Sequence, residues 1–197
     1  MSRVGHVIGN GDNAVMYKPS KGFKVTCNIP PFEVNNVYTT CLVDFKMMKA
    51  MTEGSVYIPG EWTLGYRPKV WMENNPAFHM KVAQQIKGFY IELPKYVSNY
   101  TDFNCGHMAT HYTANHLQCE EIHMYGFDSI FDFNLRSCTD MYLNADRSLS
   151  NNNRLANNWR PVWGNLFNEF PNTEFIIHHE HSDIKIKLPK NVTVNTK

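Results

Sequence analysis

The sequence predicts an α/β protein: a Rossmann-like, mostly parallel sheet flanked by helices, with a short polar lid. Three observations lead there. Short β-rich apolar runs alternate with short helix-like stretches, the pattern of a parallel sheet with crossover helices. The first apolar run ends in a glycine turn, Gly9-Asn10-Gly11, followed by a helix start. The 197 residues are 43% apolar and 13% aromatic, enough for one sizeable core. A single domain over 1–197 is therefore expected, with 129–157 as a lid-like insertion.

Arg3 to Ile8 reads as the first strand, and Asp12 to Tyr17 as a short helix stopped by Pro19. Phe23 to Cys27 is β-rich and makes a second strand, broken after Asn28 by Pro30 and Pro31. Val37 to Val43 is a third strand, ending at Asp44, and Lys46 to Met51 carries helix formers. Ser55 to Ile58 reads as a short strand closed by Pro59-Gly60. Residues 60–85 resist assignment: Trp62, Trp71 and Phe78 demand burial, yet Pro68 and Pro76 interrupt any long element. Ile86 to Leu93 is another strand, Cys105 to Leu117 a helix, and Glu121 to Tyr125 a strand. The stretch 129–157 is polar and Asn-rich. Asn158 to Phe170 is an amphipathic helix with Trp159, Val162, Trp163, Leu166 and Phe167 on one stripe. Glu174 to His178 and Ile184 to Leu188 read as closing strands.

Net charge is +1, with Lys and Arg scattered, which argues against a duplex nucleic-acid partner. Five cysteines without Cys-x-x-Cys spacing exclude a disulfide framework and a zinc ribbon, and fit a reducing cytoplasm. Charge and glycine interrupt the N-terminus, so no signal peptide is expected. No apolar run reaches the ~18 residues of a membrane helix, so no membrane span is expected. His178-His179-x-His181 reads as a turn rather than a metal site, because adjacent strand residues face opposite ways. No metal and no resident cofactor are expected.

In parallel sheets ligands sit beyond the carboxyl ends of the strands. That rule singles out Gly9, Asn10 and Gly11, Cys27 and Asn28, Asp44, and Tyr125, Gly126 and Asp128. Gly9-x-Gly11-x-x-Ala14 fits the dinucleotide fingerprint, in which backbone N–H groups cradle a phosphate. A dehydrogenase needs an acidic residue roughly 20 positions further on for the ribose. Asn28 stands at the end of the second strand instead, which leaves a mononucleotide or a nucleotide-sugar. Asn28 also suits a left-handed turn position before Pro30. Asn104 is a cap for the following helix, Gly106 permits close approach, and His107 in the first turn is a candidate neutral donor or base, with His111 one turn along. Asp128 is a candidate for a ligand hydroxyl or a cap. In the lid, Arg136, Arg147 and Arg154 are candidate phosphate ligands and Tyr142 a candidate for the departing phosphate.

Gly9-Asn10-Gly11, then Phe23-Lys-Val-Thr-Cys27-Asn28, then Asn104-Cys-Gly-His107, then Ile122-His-Met-Tyr-Gly126-Phe127-Asp128 together resemble bacterial sialyltransferases of the lipooligosaccharide type and the related motility accessory factors. Order and approximate spacing match over residues 4–128. Compact versions of the scheme also look similar to proteins of tailed phages. The resemblance implies a CMP cradle of Asn10, Gly11, Asn28, Cys105, Gly106 and Asp128, with Cys105 in place of the family's serine. The family's base is a histidine before the helix that follows the lid, and Asn151 to Asn158 contains none. Tyr142 stands where the family uses a pair of tyrosines. His107 or Asp44 is the substitute base.

The leading expectation is a glycosyltransferase-like enzyme that uses a nucleotide-sugar, CMP-linked, and passes the sugar to a glycan or other hydroxyl acceptor. The alternatives are a non-catalytic nucleotide-binding protein, and a hydrolase or lyase acting on a nucleotide or nucleoside-containing cofactor. The Asn- and aromatic-rich composition also allows self-association, so a homo-oligomer stays open.

Overall fold

The computed structural model describes residues 1–131, 153, 155–181 and 183–196. Its centre is a parallel sheet. The strands are β1 (Val4–Ile8), β2 (Phe23–Cys27), β3 (Val37–Leu42), β4 (Trp62–Leu64), β5 (Ile86–Phe89), β6 (Glu121–Tyr125), β7 (Glu174–His178) and β8 (Val192–Asn195). Their order is β5-β4-β3-β2-β1-β6-β7-β8, and every neighbouring pair is parallel. The Rossmann-like α/β class expected from the sequence is what the chain forms.

Connections determine which face each segment covers. From β1 the chain steps outward to β5, then returns across the sheet to β6 and continues to β8. Parallel crossovers are right-handed, so the two halves carry their helices on opposite faces. α1 (Phe45–Thr52), α2 (Tyr66–Asn74) and α3 (Pro76–Val82) cover one face of β3–β5. There Leu42, Trp62 and Leu64 pack with Met47, Met48, Met51, Met72 and Phe78. α4 (Cys105–Asn115) and α5 (Arg160–Glu169) cover the other face. Val7, Val25, Ile122, Met124, Phe175 and Ile177 meet Met108, Ala109, Tyr112, Trp163, Leu166 and Phe167 there. Trp163 retains only 1% exposure. Burying an aromatic of ~200 Å² contributes about 5 kcal/mol of transfer free energy.

Three parts of the chain depart from the sequence expectation. Ser55–Ile58 forms no strand: Val56 and Ile58 plug the core under α1, and the Ile58 carbonyl accepts from the Trp62 indole at 3.1 Å. Pro59 and Gly60, the latter at φ +81°, turn the chain so that ladder pairing starts only at Trp62. Residues 66–82 form two helices despite two prolines, because Pro68 and Pro76 sit in first turns, where the missing N–H has no intrahelical partner to lose. At the C-terminus, Ile184, Ile186 and Leu188 pack sideways against the core, and the last strand forms after Pro189. Asn191 locks that change of direction by donating to the carbonyls of Phe167, Phe170 and Thr173 at 2.9–3.0 Å.

No described helix is long and apolar enough to cross a membrane. The lid expected over 129–157 falls largely outside the described residues. Around it, Asp128–Ile130 is a 3-10 turn and Leu155–Trp159 a π-helical turn leading into α5.

Candidate functional site: the carboxyl edge of the sheet

Strand order reverses between β1 and β6, so the crevice rule points to the turns that follow those two strands. They meet each other closely. The Gly9 amide donates to the Tyr125 carbonyl at 2.7 Å and the Gly11 amide to the Gly126 carbonyl at 3.0 Å. A Cβ on Gly11 would lie 2.5 Å from the Asp128 carboxylate. Gly126 holds φ +77°, a left-handed conformation that favours glycine.

Beyond the glycines, the chain winds into a 3-10 turn at Asp12–Met16. Asp128 lies at its start. Its carboxylate accepts from the Asn13 side chain at 3.0 Å and from the backbone amides of Asn13 and Asp12. His179 lies beside it, with Nε2 3.6 Å from Oδ1, and stacks on Phe131 at 3.6 Å between centroids. Asn13 Oδ1 in turn accepts from the Glu180 backbone amide at 3.0 Å. Burial raises the Asp128 carboxyl above its ordinary range, opposed by the Asn13 bonds and His179. Burial likewise lowers the His179 imidazole. The structure thus brings Gly9, Gly11 and Asp128 together, but as partners of one another. Asp128 takes the position at a helical turn that an external phosphate would occupy.

The neighbouring strand ends form a second cluster. Asn10 donates to the carbonyls of Cys27 at 2.8 Å and Ile29 at 2.6 Å, which ties β1 to β2. Asn28 adopts φ +50°, the left-handed turn conformation, and its amide nitrogen reaches Asn10 Oδ1 at 3.5 Å. Asn28 is 8% exposed, and its buried Oδ1 has no hydrogen-bond partner among the described residues. Against this lies the start of α4. Cys105 donates from Sγ to the Cys41 carbonyl at 2.9 Å. The Cys27 thiol and burial push the Cys105 thiol well above its ordinary range, so it is no thiolate nucleophile. Gly106 packs on Phe127, where a Cβ would come within 2.6 Å of the ring.

Asn104 and His107 close a capping box. Asn104 Oδ1 accepts from the His107 amide at 2.9 Å, and His107 Nδ1 accepts from the Asn104 amide at 3.1 Å. His107 Nε2 donates to the Trp159 carbonyl at 3.0 Å. The ring has no exposed surface, and burial drops its pKa to about 3. Both nitrogens are engaged, so this geometry holds His107 as a neutral structural group rather than as a base. His111 does not pair with it. It bridges Tyr90 at 2.6 Å and Glu169 at 3.0 Å, joining α4 to α5.

Asp44 lies at the start of α1, in an ion pair with Arg67 at 3.2 Å. Arg67 comes from the first turn of α2, next to Tyr66, which stacks on Tyr100 at 4.1 Å. Sequence reasoning missed Arg67, because residues 60–85 gave no clear element. The available signal was Leu64-Gly65-Tyr66-Arg67-Pro68: a glycine before, and a proline inside, a first helical turn. Tyr142, Arg136, Arg147 and Arg154 lie outside the described residues.

Compared with protein-family models, characterised proteins and solved structures, the chain has no significant match.

Proposed function

We propose that this protein binds a nucleotide across the ends of β2, β3 and β4 and the start of α4, with a CMP-linked sugar as the donor class and sugar transfer to a hydroxyl acceptor as the reaction. The observation that carries the reading is Asn28 Oδ1, a buried acceptor at a strand end without a donor among the described residues. Leaving such a group unsatisfied costs about 1–3 kcal/mol, and an amine or ribose hydroxyl of a ligand would recover it. Asn10 fixes the position of Asn28. The α4 N-terminus, beyond the His107 amide that Asn104 already caps, favours a phosphate, and Arg67, paired with Asp44, is a cation at the same edge that a phosphate could recruit. The order of motifs along the chain, with its resemblance to the sialyltransferase type, supplies the cytidine assignment.

A second reading, nucleotide binding without turnover, is favoured by His107. The candidate base is buried, neutral and hydrogen-bonded at both nitrogens. Asp44, the other candidate, already faces Arg67.

Calorimetry with CMP, UMP and AMP tests the site. CMP should bind, and Asn28→Ala should weaken it at least tenfold, the equivalent of about 1.4 kcal/mol. No heat with any nucleotide at millimolar concentration refutes both readings. Chromatography of a CMP-sugar incubated with the protein and a panel of glycan acceptors separates them: CMP together with a glycosylated acceptor favours transfer, CMP with free sugar marks hydrolysis, and intact donor favours binding alone.

A further inference from the structure

A sizeable groove among the described residues lies away from the strand ends. It runs between the outer side of α5 and the extended segment that precedes β8, with a volume of about 720 Å³. That size falls within the ~300–1,000 Å³ of small-molecule sites. Arg160, Gly164, Asn165 and Asn168 line one wall, and Lys185 and Lys187 the other.

The lining has a definite chemistry. Three cations from two separate elements face one groove in a chain whose net charge is only +1. No acidic side chain and no aromatic ring is among the described lining residues. Lys185 contacts Asp183 at 2.7 Å, but the two side chains are 44% and 79% exposed. Such surface pairs are weak and yield readily to a better anion. Two amide side chains offer both donors and acceptors. Gly164 keeps the floor open: a Cβ there would meet nothing within 4 Å. The π-helical turn Leu155–Trp159 leads directly into this wall, and Ala156 from it lines the groove. π-turns recur at functional sites.

Each property restricts the ligand. Clustered cations select an anion, a phosphoryl group among them. Among the described lining residues no ring offers the stacking platform that a nucleobase uses. Amides beside the cations suit the hydroxyls of a sugar. We infer that this groove binds a phosphorylated sugar, or a similar phosphate ester without an aromatic group. The inference shares no residue with the nucleotide site and does not rest on it.

The test is a titration of the full ¹⁵N-labelled chain, followed by amide NMR, with glucose 6-phosphate, inorganic phosphate, glucose and sodium chloride. Glucose 6-phosphate should shift Gly164, the Asn165 and Asn168 side-chain amides and residues 186–188 in a saturable way. Inorganic phosphate should bind the same place more weakly, and glucose and chloride should leave it unmoved. Lys185→Glu combined with Lys187→Glu changes two exposed side chains, so folding is retained, and should weaken binding at least tenfold. Asn28→Ala should leave these shifts intact. The inference fails if no saturable shift occurs at millimolar ester. It also fails if phosphate or chloride reproduces the shifts with equal affinity, or if the double variant binds as well as the parent.

Discussion

Acidification should destabilise this protein steeply, and His107 should account for a measurable share. The ring is wholly buried, accepts at Nδ1 from the Asn104 amide and donates at Nε2 to the Trp159 carbonyl. Adding a proton would force an N–H against an N–H and place a charge in the core. Its folded pKa is accordingly lowered to about 3 from an ordinary 6.5. For a histidine with a lowered folded pKa, the unfolded chain takes the proton first. The stability contribution is whole above pH ~6.5 and is lost as pH falls from there toward the folded value. Between pH 7 and pH 5 the loss from this one residue is about 2 kcal/mol. The perturbation is His107→Gln, which keeps an acceptor at the third helical position, where glutamine is an ordinary capping-box partner. Urea unfolding of parent and variant at pH 7, 6 and 5 isolates the term. The parent's advantage at pH 7 should shrink by about 2 kcal/mol at pH 5, while the other buried histidines contribute equally to both proteins. An unchanged difference across that range refutes the reasoning. So does an NMR titration of the parent in which the His107 ring protonates near its ordinary pKa, a measurement that stands even where the variant folds poorly.

Glycine substitutions should divide by what surrounds them. Gly11→Ala drives a methyl to 2.5 Å from Asp128 and 2.7 Å from the Gly126 carbonyl, and should cost about 1–3 kcal/mol by thermal or urea unfolding. Gly164→Ala, inside α5 with nothing within 4 Å, should instead stabilise by about 0.4–1 kcal/mol. Asn191→Ala leaves three carbonyls without their shared donor, and should cost about 1–3 kcal/mol. Amide exchange in β8 should rise with it, since this side chain anchors the strand's entry.

Most strands that could be read have four or more residues of β-rich composition, β3 and the short β5 among them. β1, β2, β6 and β7 each combine β-rich composition with a glycine, asparagine or histidine stop. β4 has three residues, too few for any period, and its place is set by pairing with β3 rather than by composition. Ile184–Leu188 alternates like a strand, yet its apolar side chains serve the core while Asn191 restarts the ladder. At the site, Gly9-Asn10-Gly11 was legible as a strand-end turn. Gly126 and Asp128 were legible as a second strand-end turn, but not as the direct partners of the first, because more than a hundred residues separate the two turns and no local pattern announces their pairing. Asn104 was legible as a cap. The closing role of His107 was hidden because that position normally carries Glu or Gln.

One face of the sheet explains why β6 to β8 read as alternating rather than uniformly apolar. Parallel strands covered on both sides are near-continuous hydrophobic runs. Here Ile122, Met124, Phe175 and Ile177 point to α4 and α5, while Glu121, His123, Ile176 and His178 on the opposite face are half-buried and Glu174 and Thr193 exposed. Such positions need side chains flat enough to stack and polar enough to meet water. Imidazoles meet both demands when neutral. His6 stacks on His123 at 5.0 Å, and His123 meets His178 edge to edge, with ring centroids 5.1 Å apart. His123 Nε2 meets Glu121 at 2.6 Å, and His123 Nδ1 meets His178 Nε2 at 2.8 Å. Burial, together with the His123 and His6 rings, lowers His178 to about 4, and burial lowers His6 as well. The row is thus held by ring contacts and two short hydrogen bonds where a helix would otherwise lie.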